Sequence, residues 1–195
     1  MQKILFYKNL ITKNGTGFTI IEVLVALAII STLLVISVSN FSQTRLQLSL
    51  SRVTAKFAQD LRRTQQLSLA EARYFDGQGV EHPIAGKGIY VDLSSLGNKK
   101  YIMYADKVTG NNAYDVSDYL LETIDFSVDE PGIIIKNINN VTSQSDSHNF
   151  NPYNNITYIT PITSGQSIEF VFAVESDQSK TKTVLVNTAG LIEIK

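Results

Sequence analysis

The chain has 195 residues, with 17 Lys and Arg against 18 Asp and Glu, for a formal net charge of −1 at pH 7. That balance supplies no global drive toward nucleic acid or an anionic membrane surface. There is no Cys, which excludes a disulfide framework and a thiolate metal site but leaves the compartment open, since exported proteins can manage without disulfides.

The length allows one anchor and one modest globular domain. Residues 1–17 carry Lys3, Lys8 and Lys13 and no acid. Positive charge ahead of an apolar segment predicts that this end stays cytoplasmic while the rest crosses the membrane. From Phe18 to Val38 the chain is apolar apart from a few hydroxyls and Glu22. As a helix this run rises about 31 Å, matching a hydrocarbon core of roughly 30 Å. A secretory signal peptide cut at Ala26-Leu27-Ala28 fits poorly, because more apolar residues follow that site and Glu22 interrupts the apolar region. A plain signal anchor accounts for everything except Gly17 and Glu22. The acid needs a reason, because an unpaired carboxylate in hydrocarbon costs on the order of several kcal/mol.

Between Phe18 and Asp76 there is neither Gly nor Pro, so one helix is expected from about Thr19 to Ala72, roughly 80 Å long. After Val38 it turns amphipathic. Leu46, Leu50, Val53, Phe57, Leu61, Thr64 and Ser68 follow three- and four-residue steps, and Arg45, Arg52, Lys56, Asp60, Arg62 and Arg63 lie mostly off that stripe. The first half suits lipid and the second half suits packing on a sheet. Gly77, Gly79 and Pro83 are expected to end the helix. The basic face around Arg62 and Arg63 reads as a solvated face, diluted by Asp60 and Glu71, rather than as a nucleic-acid or headgroup contact.

From Gly88 the period changes to two. Ile89–Leu93 and Tyr101–Ala105 read as strands joined by a hairpin-like Ser94-Ser95-Leu96-Gly97-Asn98. Further strands are expected over Leu121–Phe126, Ile133–Ile138 and Ile168–Val174. A terminal hairpin joins Thr183–Val186 to Leu191–Ile194 around Gly190, where positive φ is needed. Residues 139–155, rich in Asn and Ser, read as a long exposed loop. The fold class is therefore α+β, a long N-terminal helix packed on a C-terminal antiparallel sheet. Its segments are a basic leader at 1–17, a membrane half-helix at 18–40, an amphipathic half-helix at 41–74 and a β-rich domain at 75–195.

Reactive constellations are scarce. His82 and His148 have no partner at ligand spacing, and no phosphate loop, nucleophile elbow or catalytic dyad is present. Asp115, Asp118 and Asp146 offer oxygens for Ca²⁺ without the spacing of a calcium loop. Tyr101, Tyr104, Tyr114, Tyr119, Tyr153 and Tyr158 read as packing and surface aromatics rather than a base-stacking platform. No enzymatic activity, catalytic residue, cofactor or metal is expected.

The stretch Gly17-Phe18-Thr19-Ile20-Ile21-Glu22-Val23-Leu24-Val25-Ala26-Leu27-Ala28-Ile29 resembles the N-terminal motif of type IV pilins and pseudopilins. The resemblance implies that a prepilin peptidase cuts between Gly17 and Phe18 and that the same enzyme N-methylates Phe18. A small residue before the cut suits a tight peptidase subsite. It also implies that Glu22 neutralises the amine of Phe18, its own or a neighbour's, as subunits join a filament; that amine is protonated below a pKa of about 8. Residues 55–70 and the closing 183–194 are similar to the second helix half and final hairpin of GspH/FimT-type minor pseudopilins and minor pilins. The lack of Cys, and of a helix-bending Pro between 19 and 72, departs from many major pilins and favours a minor subunit.

The partners implied are other pilin or pseudopilin subunits, the prepilin peptidase and methyltransferase, and an inner-membrane assembly platform. The implied location is the bacterial inner membrane, with a single pass, a cytoplasmic N-terminus and a periplasmic or extracellular domain. The pilus, type II secretion and competence machineries share this precursor design. Two other readings stand beside it. A DNA-uptake minor pilin would need a basic stripe, of which the C-terminal part offers Lys180, Lys182 and Lys195. A membrane-anchored binding domain outside any filament would keep its leader.

Overall fold

The computed structural model describes residues 17–70, 73–94, 98–107, 114–139, 145–151, 156–159, 167–187 and 189–195. Contacts divide the chain into two units, 1–42 and 43–195. Helix α1, Ile20–Ala70, contributes to both; Ala72, its expected end, lies outside the described residues.

In the first unit the apolar side chains of α1 have nothing over them. Ile20–Ser37 has a mean hydropathy of 2.7 and none of it is buried. A helix that is apolar all round needs lipid or other helices for cover. Its hydroxyls turn inward on its own backbone: Ser31 Oγ donates to Leu27 O at 2.7 Å, Thr32 Oγ1 to Ile29 O at 2.8 Å and Ser37 Oγ to Leu33 O at 2.9 Å. That removes the cost of unsatisfied donors in an apolar surround.

In the second unit the expected stripe is the buried face. Leu50, Val53, Phe57, Leu61, Thr64 and Ser68 are all buried, with Leu46 packed at the margin. The buried threonines are satisfied locally, Thr54 by Leu50 O at 2.6 Å and Thr64 by Asp60 O at 2.7 Å.

The strands are β1 Arg73–Phe75, β2 Glu81–Asp92, β3 Lys100–Lys107, β4 Tyr119–Asp125, β5 Ile133–Asn139, β6 Ser145–Asn151, β7 Ile156–Ile159, β8 Ser167–Val174, β9 Asp177–Asn187 and β10 Ile192–Ile194. They form two antiparallel sheets rather than the one expected. The first has the order β4-β3-β2-β6-β7 with β1 on β2, and the second has the order β10-β9-β8-β5. Alternation in the sequence marks which residues face a core, but both sheets share one core and so leave one signal. Phe57 of α1 shows this: its ring lies 4.9 Å from Tyr101 of the first sheet, and 4.9 and 5.1 Å from Phe170 and Phe172 of the second. Burying such a side chain stabilises by about 1.5–3 kcal/mol.

Two local expectations need correction. Gly77, Gly79 and Pro83 do not end the helix, since the chain has already become β1 by Arg73. Gly77 and Gly79 lie in the β1–β2 turn, with Gly79 at φ 79°. Pro83 sits within β2 opposite Arg73, where the other described partners of β2 have not yet begun, at Ile84 for β3 and Lys87 for β6. An edge position of this kind tolerates a missing N–H. The stretch 139–155 is not one loop, because Ser145–Asn151 forms β6 against β2. Backbone pairing needs no aliphatic side chains, so composition hides it. The terminal hairpin is as expected, with Gly190 at φ 79° between β9 and β10.

Candidate processing and assembly site

The residues singled out at the N-terminus lie together at the start of α1. Gly17 to Thr19 precede the helix, and Phe18 is 79% exposed. A β-carbon at Gly17 would meet nothing within 4 Å, and its φ lies outside the left-handed region. Nothing within the described chain therefore demands Gly there. Thr19 starts the helix: its carbonyl accepts from the amides of Glu22 at 3.1 Å and Val23 at 3.2 Å, and its Oγ1 also accepts from the Glu22 amide at 3.3 Å. Thr19-Ile20-Ile21-Glu22 thus has the T-x-x-E form of a capping box. Glu22 falls in the first turn, at the positive pole of the helix. Its side chain is exposed, and among the described residues no hydrogen bond to its carboxylate is formed.

The other candidates have structural duties. His82 Nε2 lies 3.0 Å from Asp76 Oδ2, while Asp76 Oδ1 accepts from Gln78 N at 2.9 Å and Val80 N at 2.8 Å. The His82 bond first, then the turn amides, hold the Asp76 carboxyl below its usual range. The pair closes the β1–β2 turn. Asp115 accepts from the Ser117 amide and hydroxyl, and Asp118 from the amides of Asp115 and Lys107. His148 and Asp146 occur in β6, opposite Ile89 and Val91. Tyr153 lies outside the described residues. Among the described residues no three His, Cys, Asp or Glu side chains group to hold a metal.

The basic face of α1 is not simply solvated. Arg63 Nη1 reaches Glu122 at 3.2 Å, Arg62 Nη2 donates to Ile192 O at 3.1 Å, and Arg52 binds Glu130 at 2.5 and 2.9 Å. These side chains tie the helix to both sheets. Two features escaped the sequence reading. The first is Asp60, buried on α1 and accepting from the Tyr101 hydroxyl at 2.5 Å; burial first, then this bond, push the Tyr101 hydroxyl upward. The second is a cleft of about 690 Å³ between α1 and β4, lined by Arg52, Lys56, Gln59, Tyr101, Glu122 and Phe126 among others. Asp60 sits three residues from Phe57 beside the stripe, which was the only signal for it.

Residues 12–38 match the prokaryotic N-terminal methylation motif. The match is confined to the N-terminal segment of the chain, and with one apolar N-terminal helix it is consistent with single-pass membrane anchoring. Comparisons with curated proteins and with solved structures find no significant match.

Proposed function

We propose that the protein is a non-enzymatic minor pilin or pseudopilin. It is made as a precursor, cut between Gly17 and Phe18, N-methylated at Phe18 and assembled into a filament with other subunits. The observation that carries this reading is the junction itself. Gly17 stands in open space ahead of a capped helix start, so its smallness serves another molecule's requirement. The cut leaves the ammonium group of Phe18 at the positive pole of α1, an unfavourable place for a cation. Glu22, one turn inside and without a described partner, supplies the opposite charge. An ammonium–carboxylate pair lowers the cost of carrying either group into hydrocarbon. The naked apolar helix then packs among its like in the filament core, and the sheet unit is displayed. The GspH/FimT-type branch remains the favoured kinship, supported by the amphipathic half-helix and the β9–β10 hairpin.

Intact mass and N-terminal peptide analysis of the native protein tests the reading. A chain beginning at N-methyl-Phe18 is expected. A chain that retains Met1 in the membrane defeats it and leaves an anchored domain outside any filament.

A further inference from the structure

Gln43, the first residue of the second unit, follows Ser37, the last of the apolar span, by six positions. That separation covers about 9 Å along a helical path and at most about 20 Å along any path. The headgroup layer adds about 5–8 Å beyond the hydrocarbon, and charges act through a further ~8 Å at physiological salt. The tether is therefore short enough for side chains around Gln43 to come within electrostatic reach of the membrane surface.

Those side chains are basic. Lys180 Nζ donates to Gln43 Oε1. Lys136 Nζ donates to Gln178 O at 3.0 Å, which brings a second ammonium to the start of β9. Lys182 stands opposite Phe172 in β8, and Phe172 also faces Ile135, the neighbour of Lys136. Arg45 is exposed two residues beyond Gln43. Two nearby acids are bound by other cations: Glu130 by Arg52, although Arg45 also acts on it, and Glu175 by two bonds from Lys99 at 2.9 Å. Against the four cations stand Asp177, 3.4 Å from Lys180, Asp129 in the turn before β5, and the share of Glu130 that Arg52 leaves to Arg45. A local positive excess thus sits beside the membrane-proximal residue of a chain whose net charge is −1.

We propose that this end of the sheet unit, carrying Arg45, Lys136, Lys180 and Lys182, seats on anionic phospholipid headgroups of the membrane that holds α1. The occupant follows from charge and tether: the chain allows these cations to approach a phosphate-bearing surface that the same chain spans. The proposal rests on the reading of Ile20–Ser37 as a membrane span.

The lack of Cys allows a single label on the full chain. Thr181→Cys, exposed between Lys180 and Lys182, would carry a polarity-sensitive fluorophore, in vesicles of phosphatidylcholine alone or mixed with phosphatidylglycerol. A blue shift and protection from acrylamide are expected in the anionic vesicles only, with both lost at high salt. The combined Lys136→Gln, Lys180→Gln and Lys182→Gln variant should lose both while keeping the same thermal unfolding curve and the same recovery with vesicles. Equal emission in the two vesicle types overturns the proposal. So does a shift in phosphatidylcholine that grows with protein density, which would mean contact between copies. Failure to float with any vesicle removes the membrane-span reading together with the proposal, whereas flotation without lipid dependence removes the proposal alone.

Discussion

Gly17 and Glu22 differ in what they ask of their surroundings. The open space at Gly17 means that Gly17→Ala should leave α1 unchanged by circular dichroism. Gly17→Leu should do the same yet abolish the conversion to a chain starting at Phe18, read by mass. Glu22→Ala should insert into membranes at least as well as the parent, because hydropathy rises, but should lose most filament incorporation. Normal incorporation of that variant would remove the charge-pair account. Inside the second unit, Tyr101→Phe strands the buried Asp60 carboxylate without its hydroxyl donor. Loss of a hydrogen bond to a charged group predicts roughly 1.5–3 kcal/mol of destabilisation, measurable as a lower urea midpoint. Gly17, Phe18 and Glu22 were singled out because the motif that marks them is contiguous in sequence. Asp60 and Tyr101 were not, because the two lie 41 positions apart and each looks ordinary in its own segment.

Among elements, α1 illustrates how a helix end is served from elsewhere. Its last turn holds no basic residue, and Lys87 of β2 fills that role: Nζ donates to Leu67 O at 3.3 Å, and the Lys87 amide donates to Ser68 Oγ at 3.1 Å. Late carbonyls of a helix have no partner in the helix itself, so a cation there caps them and suits the negative pole. At the other end of the amphipathic half, Gly132 at φ 86° lets the turn before β5 pass under α1, and a β-carbon there would lie 3.2 Å from Leu46 Cδ2. Gly132→Ala therefore combines a left-handed backbone with a close contact. It should cost about 1 kcal/mol or more, seen as a lower Tm. The helix stripe and the strands containing Ile89, Tyr101, Ile133, Phe170 and Val184 were legible from periodicity, because each buries one face. β6 was not, because its Ser and Asn residues join the sheet through main-chain bonds that leave no apolar pattern. β1 is three residues long, too short for any period to show.

For the second unit taken whole, acid sensitivity follows from a repeated turn. Asp92, Asp115, Asp125 and Asp177 each accept from the amide of the Ser two residues on, at 2.8, 2.7, 2.8 and 3.2 Å. The Ser amide at Asp92, and the Ser hydroxyl at the other three, is the first cause holding these carboxyls below their usual range. Glu130 is likewise held low, chiefly by Arg52. A carboxyl with a depressed folded pKa contributes stability that is present above its unfolded value, near 4. That contribution is lost as pH falls through the folded value. Stability should thus decline below about pH 4 with net proton uptake on unfolding. Replacing Ser94, Ser117, Ser127 and Ser179 together by Ala should lower the urea midpoint at pH 7 and flatten its fall between pH 4 and pH 2. An unchanged slope would show that these turns do not govern the acid response. The division into two sheets around one core was the least legible level. It depends on which strands pair, and Asn98 O accepting from Ile135 N at 2.7 Å is a link that no local pattern announces.

The inward-turned hydroxyls of Ser31, Thr32 and Ser37 have a mechanical consequence. Their donors are spent on the helix's own carbonyls, and the three stand around the helix, so this stretch of α1 presents a surface with little directional bonding. A neighbour lying along it, whether acyl chain or helix, can rotate or slide with little polar contact to break. Such a surface acts as a bearing rather than a latch. On the proposed reading, fixing the stop position falls to Glu22.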